Sequence, residues 1–528
     1  MTRRGPAEEI ELKLAMDGAA LARLPQSALL HSLQTEAGRA KKLASTYYDT
    51  ADLRLKQAGM ALRVRHDGTG YVQTLKAPRL DHNGQPRSDG GLQHLREFEA
   101  ALEAPEPDLS RIEDPAIQAF FSESRIGRDL EPIFTTDIDR QVLPLELADS
   151  RVELAIDRGR IAANGSELPV CEAELELQRG ESGKLYELAM MLHREVPFRI
   201  ERASKAARGY GLYSGARPVP QKARKPALEP GMTVGEAFER QARACVWQMR
   251  ANEEPVIDGT DAEGVHQMRV AIRRMRALVS AFSAAVDRDV ASYLKTELRW
   301  MQRQLGPARD LDVFLADTFG PLRERLPSAE SLAQLAETTE NLRAEAYDDA
   351  RAAVHDPRYT ALLLRLELWL DTGAWQKTVG PDETDPAAQP VTPFAQAILD
   401  RRAKKFKKLG KKYDRLSESD LHELRIRGKK LRYAGEFFTG LFKKKDTKAY
   451  LDALEEIQDR LGALNDAATG QTLLDRIEAR MREHGEREHD VANAAGLVQG
   501  WQVARIAQEL QDFAQVWKRF GKLDPFWR

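Results

Sequence analysis

Near the N-terminus, Glu9, Glu11 and Lys13 stand two residues apart in "EEIELKLAM", with Ile10, Leu12 and Leu14 at the alternate positions. Side chains of a strand point to opposite faces in turn, so this spacing puts both signs of charge on one face and aliphatic groups on the other. "VCEAELELQ" repeats the pattern, with Glu172, Glu174 and Glu176 opposed to Cys171, Ala173, Leu175 and Leu177. In "ALRVRHD", Arg63 and Arg65 oppose Leu62 and Val64. Lys76 in "VQTLKAP", Glu97 and Glu99 in "LREFEAAL" and Arg140 in "TTDIDRQV" add further charges. On one strand such a face reads as solvated. Across several strands the signs segregate, and closing the sheet would place carboxylates and cations inside one cavity.

Clustered carboxylates with no His or Cys among them are hard oxygen donors, suited to Mg²⁺ or Mn²⁺. Arg and Lys clamp phosphate oxygens, Arg in bidentate fashion. Together they neutralise a polyanion and stabilise charge on a transferring phosphoryl group. The residue types therefore favour cutting a short polyphosphate chain over binding a sugar or a lipid.

The elements that must position these groups are legible. Up to about residue 213, eight stretches carry a two-residue period: "EIELKLAM", "STYYDT", "GMALRVRHD", "GYVQTLKAP", "LREFEAAL", "PIFTTDIDRQVLPL", "SRVELAIDRGRIAA" and "VCEAELELQRG". Asp67-Gly68 and Asn164-Gly165 mark turns. "RIEDPAIQAFFSES" and "LYELAMMLHREV" read as helices. The spacing predicts an eight-stranded antiparallel β-barrel with a few helices over residues 1–213. A linker rich in Pro and basic residues spans 214–230. Residues 231–528 form an all-α region, so the chain is a multidomain α+β protein. A second Pro-rich break divides the helical region into repeats of about 231–385 and 391–528.

Those repeats show in the motifs. "VHQMRVAIRRMRALVSAF" begins at Val265 and "LHELRIRGKKLRYAGEFF" at Leu421, 156 residues later. The same offset carries Leu305, Gly306 and Asp310 onto Leu461, Gly462 and Asp466, which marks a duplication. In the first copy Val265, Met268, Ile272, Met275, Val279 and Phe282 make an apolar stripe. His266, Arg269, Arg273 and Arg276 make a second stripe about a quarter turn away, not opposite as a solubilising face would be. The second copy repeats it with His422, Arg425, Lys429 and Arg432, and Arg274 corresponds to Lys430. Cationic neighbours would repel a metal from these histidines, so an anion groove is the better use.

The chain has 528 residues, 42% hydrophobic and 31% charged, with a net charge of −2, so no global bias points to nucleic acid. From Arg401 to Tyr450, however, 18 Lys and Arg stand against 6 Asp and Glu, a block that fits an anionic partner. The two cysteines, Cys171 and Cys245, support no disulfide framework. No secretory leader and no membrane-length apolar run is visible, and a cytoplasmic location is expected.

The E-x-E-x-K of Glu9, Glu11 and Lys13, with the supporting charged strands, resembles the signature of the CYTH superfamily, the triphosphate tunnel metalloenzymes. The resemblance covers residues 1–213 and implies a tunnel barrel acting on triphosphates with a divalent metal. It implies that Glu9, Glu11 and Lys13 are catalytic. Lys13, Arg63, Arg65, Lys76, Arg140 and Lys205 in "RASKAARGYG" would bind the triphosphate. Glu9, Glu11, Glu172, Glu174, Glu176 and Asp157 would hold the metal. Asp157 and Glu97 match less distinctively and could equally cap a turn or support the site. The helical region resembles the CHAD domain, which implies binding of long-chain inorganic polyphosphate through His266, Arg269, Arg273, Arg276, His422, Arg425, Lys429 and Arg432. The block "RRAKKFKKLGKKYDR" fits the same role. The order of the two resembles bacterial CYTH–CHAD proteins and implies a metal-dependent inorganic triphosphatase tied to polyphosphate, possible granules included, with no membrane and no specific nucleic acid as partner. The alternatives are a polyphosphate-binding or granule-targeting protein of little turnover and, with no adenine pocket legible, a nucleotide cyclase or organic triphosphatase.

Overall fold

A computed structural model describes residues 8–78, 88–89, 92–123, 126–380, 383–411 and 413–528. They group into two compact units, Met1–Arg217 with His355–Ala374, and Pro218–Val354 with Trp375–Arg528. Among the described residues no helix is long and apolar enough to cross a membrane.

The first unit is built on one antiparallel sheet. Its strands are β1 (Glu8–Ala15), β2 (Arg39–Asp49), β3 (Ala61–His66), β4 (Tyr71–Pro78), β5 (Ser88–Asp89), β6 (Leu92–Leu102), β7 (Glu131–Leu147), β8 (Ser150–Ala163), β9 (Ser166–Arg179) and β10 (Arg199–Glu201). The strand order is β10-β1-β9-β8-β7-β2-β3-β4-β6-β5, and β1 pairs with β6 as well, Glu8 lying opposite Arg96 and Glu11 opposite Gln93. The eight stretches of two-residue period all lie in strands. The short β5 and β10 carry too few residues to show a period. The turn expected at Asn164-Gly165 joins β8 to β9, with both residues at positive φ, +49° and +76°. That left-handed pair matches the twist of the strands it connects.

The aliphatic face of the sheet is covered. Leu12, Leu14, Ala173 and Leu175 are fully buried, and helix α1 (Gly183–His193) packs on β1 and β9. Helix α1 in turn packs against the helix Pro357–Thr372, where the Ser182 hydroxyl donates to Asp371 at 2.7 Å and a ring nitrogen of His193 lies 2.9 Å from the Pro357 carbonyl oxygen. The periodicity placed this later segment in the first helical repeat. By its contacts it groups with the sheet.

Helix α2 (Lys205–Ser214) is capped by Ser204, whose hydroxyl accepts from the Ala207 amide, and ends at Gly215 with φ +61°. It packs on β7, β8 and β9. A Cβ on Gly209 would lie 2.2 Å from the ring of Phe134, so only glycine lets the helix come this close. Gly209→Ala is expected to cost about 1–3 kcal/mol, the usual penalty of overpacking. Thermal unfolding should show it as a lower Tm, and Lys205 should be displaced with the helix.

In the second unit the duplication governs the helices: α3 (Val234–Ala251), α4 (Ala262–Ala281), α5 (Arg288–Gln304), α6 (Val391–Gly410), α7 (Glu418–Phe437) and α8 (Lys444–Glu483). Helices α4 and α7 start and stop 156 residues apart, and their caps, Asp261 and Ser417, keep the same offset. The stripe from Val265 to Phe282 is buried. Phe282 and its counterpart Phe438 lie 5.6 Å apart, centroid to centroid.

Candidate active site

Antiparallel register decides which charged side chains of the first unit meet. Residues directly opposite share a face. Arg140 of β7 lies opposite Asp157 of β8, which lies opposite Glu172 of β9. Lys13 lies opposite Glu174, Glu11 opposite Glu176, and Lys76 opposite Glu97. Sequence alternation thus becomes a set of cross-strand ion pairs.

These pairs surround a cavity of about 690 Å³. Glu11, Lys13, Arg63, Arg65, Lys76, Arg140, Glu174, Glu176 and Lys205, all expected at the site, line it. Asp157 and Glu172 are fully buried within the same charge cluster. Glu9 sits on β1, opposite Leu95; its side chain falls outside the described ones. The charged face of β1 therefore turns inward: Glu11 is 3% and Lys13 5% exposed.

The cluster is dense. The Arg140 guanidinium donates to both oxygens of Asp157, at 2.7 and 2.6 Å, and to Glu174 at 2.5 Å. Lys205 reaches Asp157 at 2.6 Å, Glu174 at 3.0 Å and Glu172. Arg208 pairs with Glu172, Lys13 with Glu11, and Lys76 with Glu97. Burial alone would raise the Glu174 carboxyl, but Lys205, Arg140 and Lys13 override it and hold it well below the usual range. Burial likewise opposes the charge on Lys205 and on Arg140, yet the facing carboxylates hold both above their ordinary values. The two arginines of β3 differ: burial opposes the charge of Arg63, yet Tyr47, Glu97 and Glu99 hold it above its ordinary value. Burial and the neighbouring charge of Arg63 pull Arg65 down to about 10. Tyr47 lines the same wall; burial would raise its phenol, but Arg63, Arg65 and Lys76 bring it down. Glu97 and Glu99 line the cavity as well, so carboxylates and cations are interleaved around it.

Asp157, Glu172 and Glu174 each offer an oxygen within 4.8 Å of the others. An all-oxygen set with no nitrogen or sulfur donor fits a hard divalent cation. Arg208 and Tyr47 were missed in the sequence. Arg208 follows Lys205 by three residues on one helix face, a spacing that could have shown it. Tyr47 sits beside a register shift in β2 between Tyr47 and Tyr48, and nothing in "STYYDT" distinguishes the two tyrosines.

In the second unit the expected anion-binding stripes are half-buried and largely engaged with protein groups. Arg269 donates to the Gln302 carbonyl at 2.9 Å, Arg276 to the Gln302 side chain, and Arg273 to the Tyr433 hydroxyl at 3.3 Å. Arg432 pairs with Glu455 at 2.6 Å. Arg274 lies buried over the ring of Phe437. Burial and the charge of Arg309 push His266 down to about 4, so this ring is neutral at pH 7. His422 is exposed, and Arg425 and Lys429 are half-buried.

Comparison with known proteins divides the chain the same way. A CYTH domain matches residues 7–210 and a CHAD domain residues 240–475. An inorganic triphosphatase of Haemophilus influenzae is 33% identical over 208 residues, 39% of this chain and 55% of that protein, so the match spans about half the relative's length. Among solved structures, the CHAD domain from the plant Ricinus communis is 29% identical, with a TM-score of 0.49, covering 58% of this chain and 98% of that one. A Hippeastrum protein described as revealing a dominant triphosphatase activity is 19% identical, with a TM-score of 0.26, covering 39% of this chain and 96% of its own. The charged strands and the duplicated helices thus belong to two families joined in one polypeptide, and the chain is a CYTH–CHAD protein.

Proposed function

We propose that the CYTH domain hydrolyses inorganic triphosphate to pyrophosphate and phosphate with a divalent metal, Mg²⁺ or Mn²⁺, and that the CHAD domain binds long-chain inorganic polyphosphate. The observation that carries the first part is the cavity lined by Arg63, Arg65 and Lys76 together with Glu11, Glu174 and Glu176. The inorganic triphosphatase activity of the Haemophilus relative supports it. We read the sheet as a tunnel: β1 pairs with β9 on one side and β6 on the other, which brings the ends of the strand order together.

Arg63, Arg65 and Lys76 hold the phosphate oxygens, and Lys13, Arg140 and Lys205 complete the positive lining. Such donors are fixed before the reaction and stabilise the charge that builds on the transferring phosphoryl group. Glu9, Glu11, Glu174 and Glu176, with Glu172 and Asp157 behind them, would hold the metal, which when bound neutralises phosphate oxygens and lowers the pKa of a coordinated water. Water attacks a terminal phosphorus in line, its proton passes to a carboxylate of the cluster, and pyrophosphate departs.

The test is phosphate release from tripolyphosphate, ATP and thiamine triphosphate, each with Mg²⁺, Mn²⁺ and EDTA. Fast release from tripolyphosphate that EDTA abolishes is expected. No release from any substrate, with polyphosphate binding retained, would make this a binding protein. Glu9→Gln combined with Glu11→Gln should remove turnover and leave polyphosphate binding intact, since the two activities sit on different domains.

A further inference from the structure

Helices α6 and α7, with Ser280 of α4, line a concavity of about 690 Å³ in the second unit. Arg401, Arg402, Lys405 and Lys408 of α6 face Arg427 and Lys430 of α7 across it, and Glu423 supplies the lone carboxylate among the lining residues. That carboxylate is already held by Arg427 at 2.8 Å. Arg402 donates to the Lys430 carbonyl at 2.5 Å, which leaves its positive charge uncompensated. Burial and the charge of Arg401 pull Arg402 down to about 10. Six cations gathered on one carboxylate repel one another, and an anion with several charges relieves that repulsion.

The first repeat has no counterpart. Matched on their buried positions, Val234 with Val391, Ala242 with Leu399 and Met249 with Phe406, helix α3 aligns with α6 at an offset of 157. Arg401, Arg402, Lys405 and Lys408 then correspond to Ala244, Cys245, Gln248 and Ala251, none of them charged, and Cys245 and Gln248 are buried. At the offset of 156, Arg427 corresponds to buried Ala271, and Lys430 to Arg274, which is buried over Phe437. The duplication kept the fold and made the two copies electrically unlike.

We infer that this concavity is the principal seat of condensed phosphate on the CHAD domain, so that the anion is bound asymmetrically, by the second repeat. The inference rests on the proposed binding of polyphosphate. Closely spaced phosphate charges suit the short separations between these cations. The lining holds no aromatic residue, so a single-stranded nucleic acid would find no platform on which to stack its bases.

The test compares three full-length chains by binding of long-chain sodium polyphosphate over a range of salt. One is wild type; one carries Arg401→Glu, Lys405→Glu and Lys408→Glu. The third carries Lys295→Glu, Arg299→Glu and Arg303→Glu, an equal charge change at exposed positions of α5. Circular dichroism confirms that all three are folded. The concavity variant should bind roughly ten-fold or more weakly, with a salt dependence shallower by about two units of log K per log salt. The α5 variant should lose less than about three-fold, as exposed charges outside the lining are largely screened. Equal losses in both variants, or none in the first, would overturn the placement while leaving polyphosphate binding intact. A wild-type chain that binds no polyphosphate would remove the parent reading and this inference with it. Competition by a single-stranded oligonucleotide at equal charge concentration would overturn the choice of ligand.

Discussion

Arg140→Met should destabilise the CYTH domain by about 3–5 kcal/mol, the cost of removing one partner from a buried charge cluster. For a unit of this size that is a fall in Tm of about 6–20 °C. Arg140 bridges Asp157, which is fully buried, and Glu174, and Lys205 spans the same two carboxylates. A merely surface pair would contribute about 0–1 kcal/mol, so the measurement separates the two descriptions. Adding Asp157→Asn to the first variant should recover part of the loss, and the double-mutant cycle gives the coupling. Acid acts on the same cluster. The folded state holds Glu174 below its unfolded value, so the unfolded chain takes up the proton first. The stabilisation is complete above an ordinary glutamate pKa of about 4.3 and drains away as pH falls through the lower folded value. Denaturant midpoints from pH 7 down to pH 3 should therefore fall in wild type, and less steeply in Arg140→Met. A variant as stable as wild type would show that the cluster contributes little.

Glu174→Gln should lower tripolyphosphate turnover by about 100- to 1,000-fold, the range seen when one preorganised electrostatic group is removed. The amide keeps the side chain's volume and one acceptor, so stability should suffer less than in Arg140→Met. Glu174 is the carboxylate at which Lys13, Arg140 and Lys205 converge, and it also lines the cavity. Removing its charge leaves those three cations under-compensated, which disfavours a further cation among them. Titration of Mg²⁺ into the protein, followed by heat, should show weakened metal binding independently of turnover. Turnover within about three-fold of wild type would remove Glu174 from the proposed metal set.

How much of this was legible depends on how local the signal was. Strands whose faces differ, such as β1 and β9, announce themselves through alternation. The start of β2 does not, because "RAKK" is exposed throughout and offers no contrast between faces. The pairing of Lys13 with Glu174, or Arg140 with Asp157, depends on register, which in the first pair links residues 161 positions apart. The residue types could be listed in advance, but their partners could not. In the helical region the duplication was plain in the motifs, yet the stripes it repeated turn out largely engaged with Gln302, Tyr433 and Glu455. Periodicity shows which face a residue occupies. It does not show whether a neighbouring helix supplies an acceptor.

The helix Pro357–Thr372 has a consequence for how the chain comes apart. The residues before and after it belong to the helical unit, while the helix itself is counted with the sheet. The backbone therefore passes from one unit to the other three times, at 217–218, 354–355 and 374–375. A single proteolytic cut in 214–230 leaves two of those passages whole, and a strand-bearing fragment ending at Arg217 would lack the helix that covers α1. The two fragments of such a cut are expected to stay associated through that helix, which size-exclusion chromatography of the nicked protein checks.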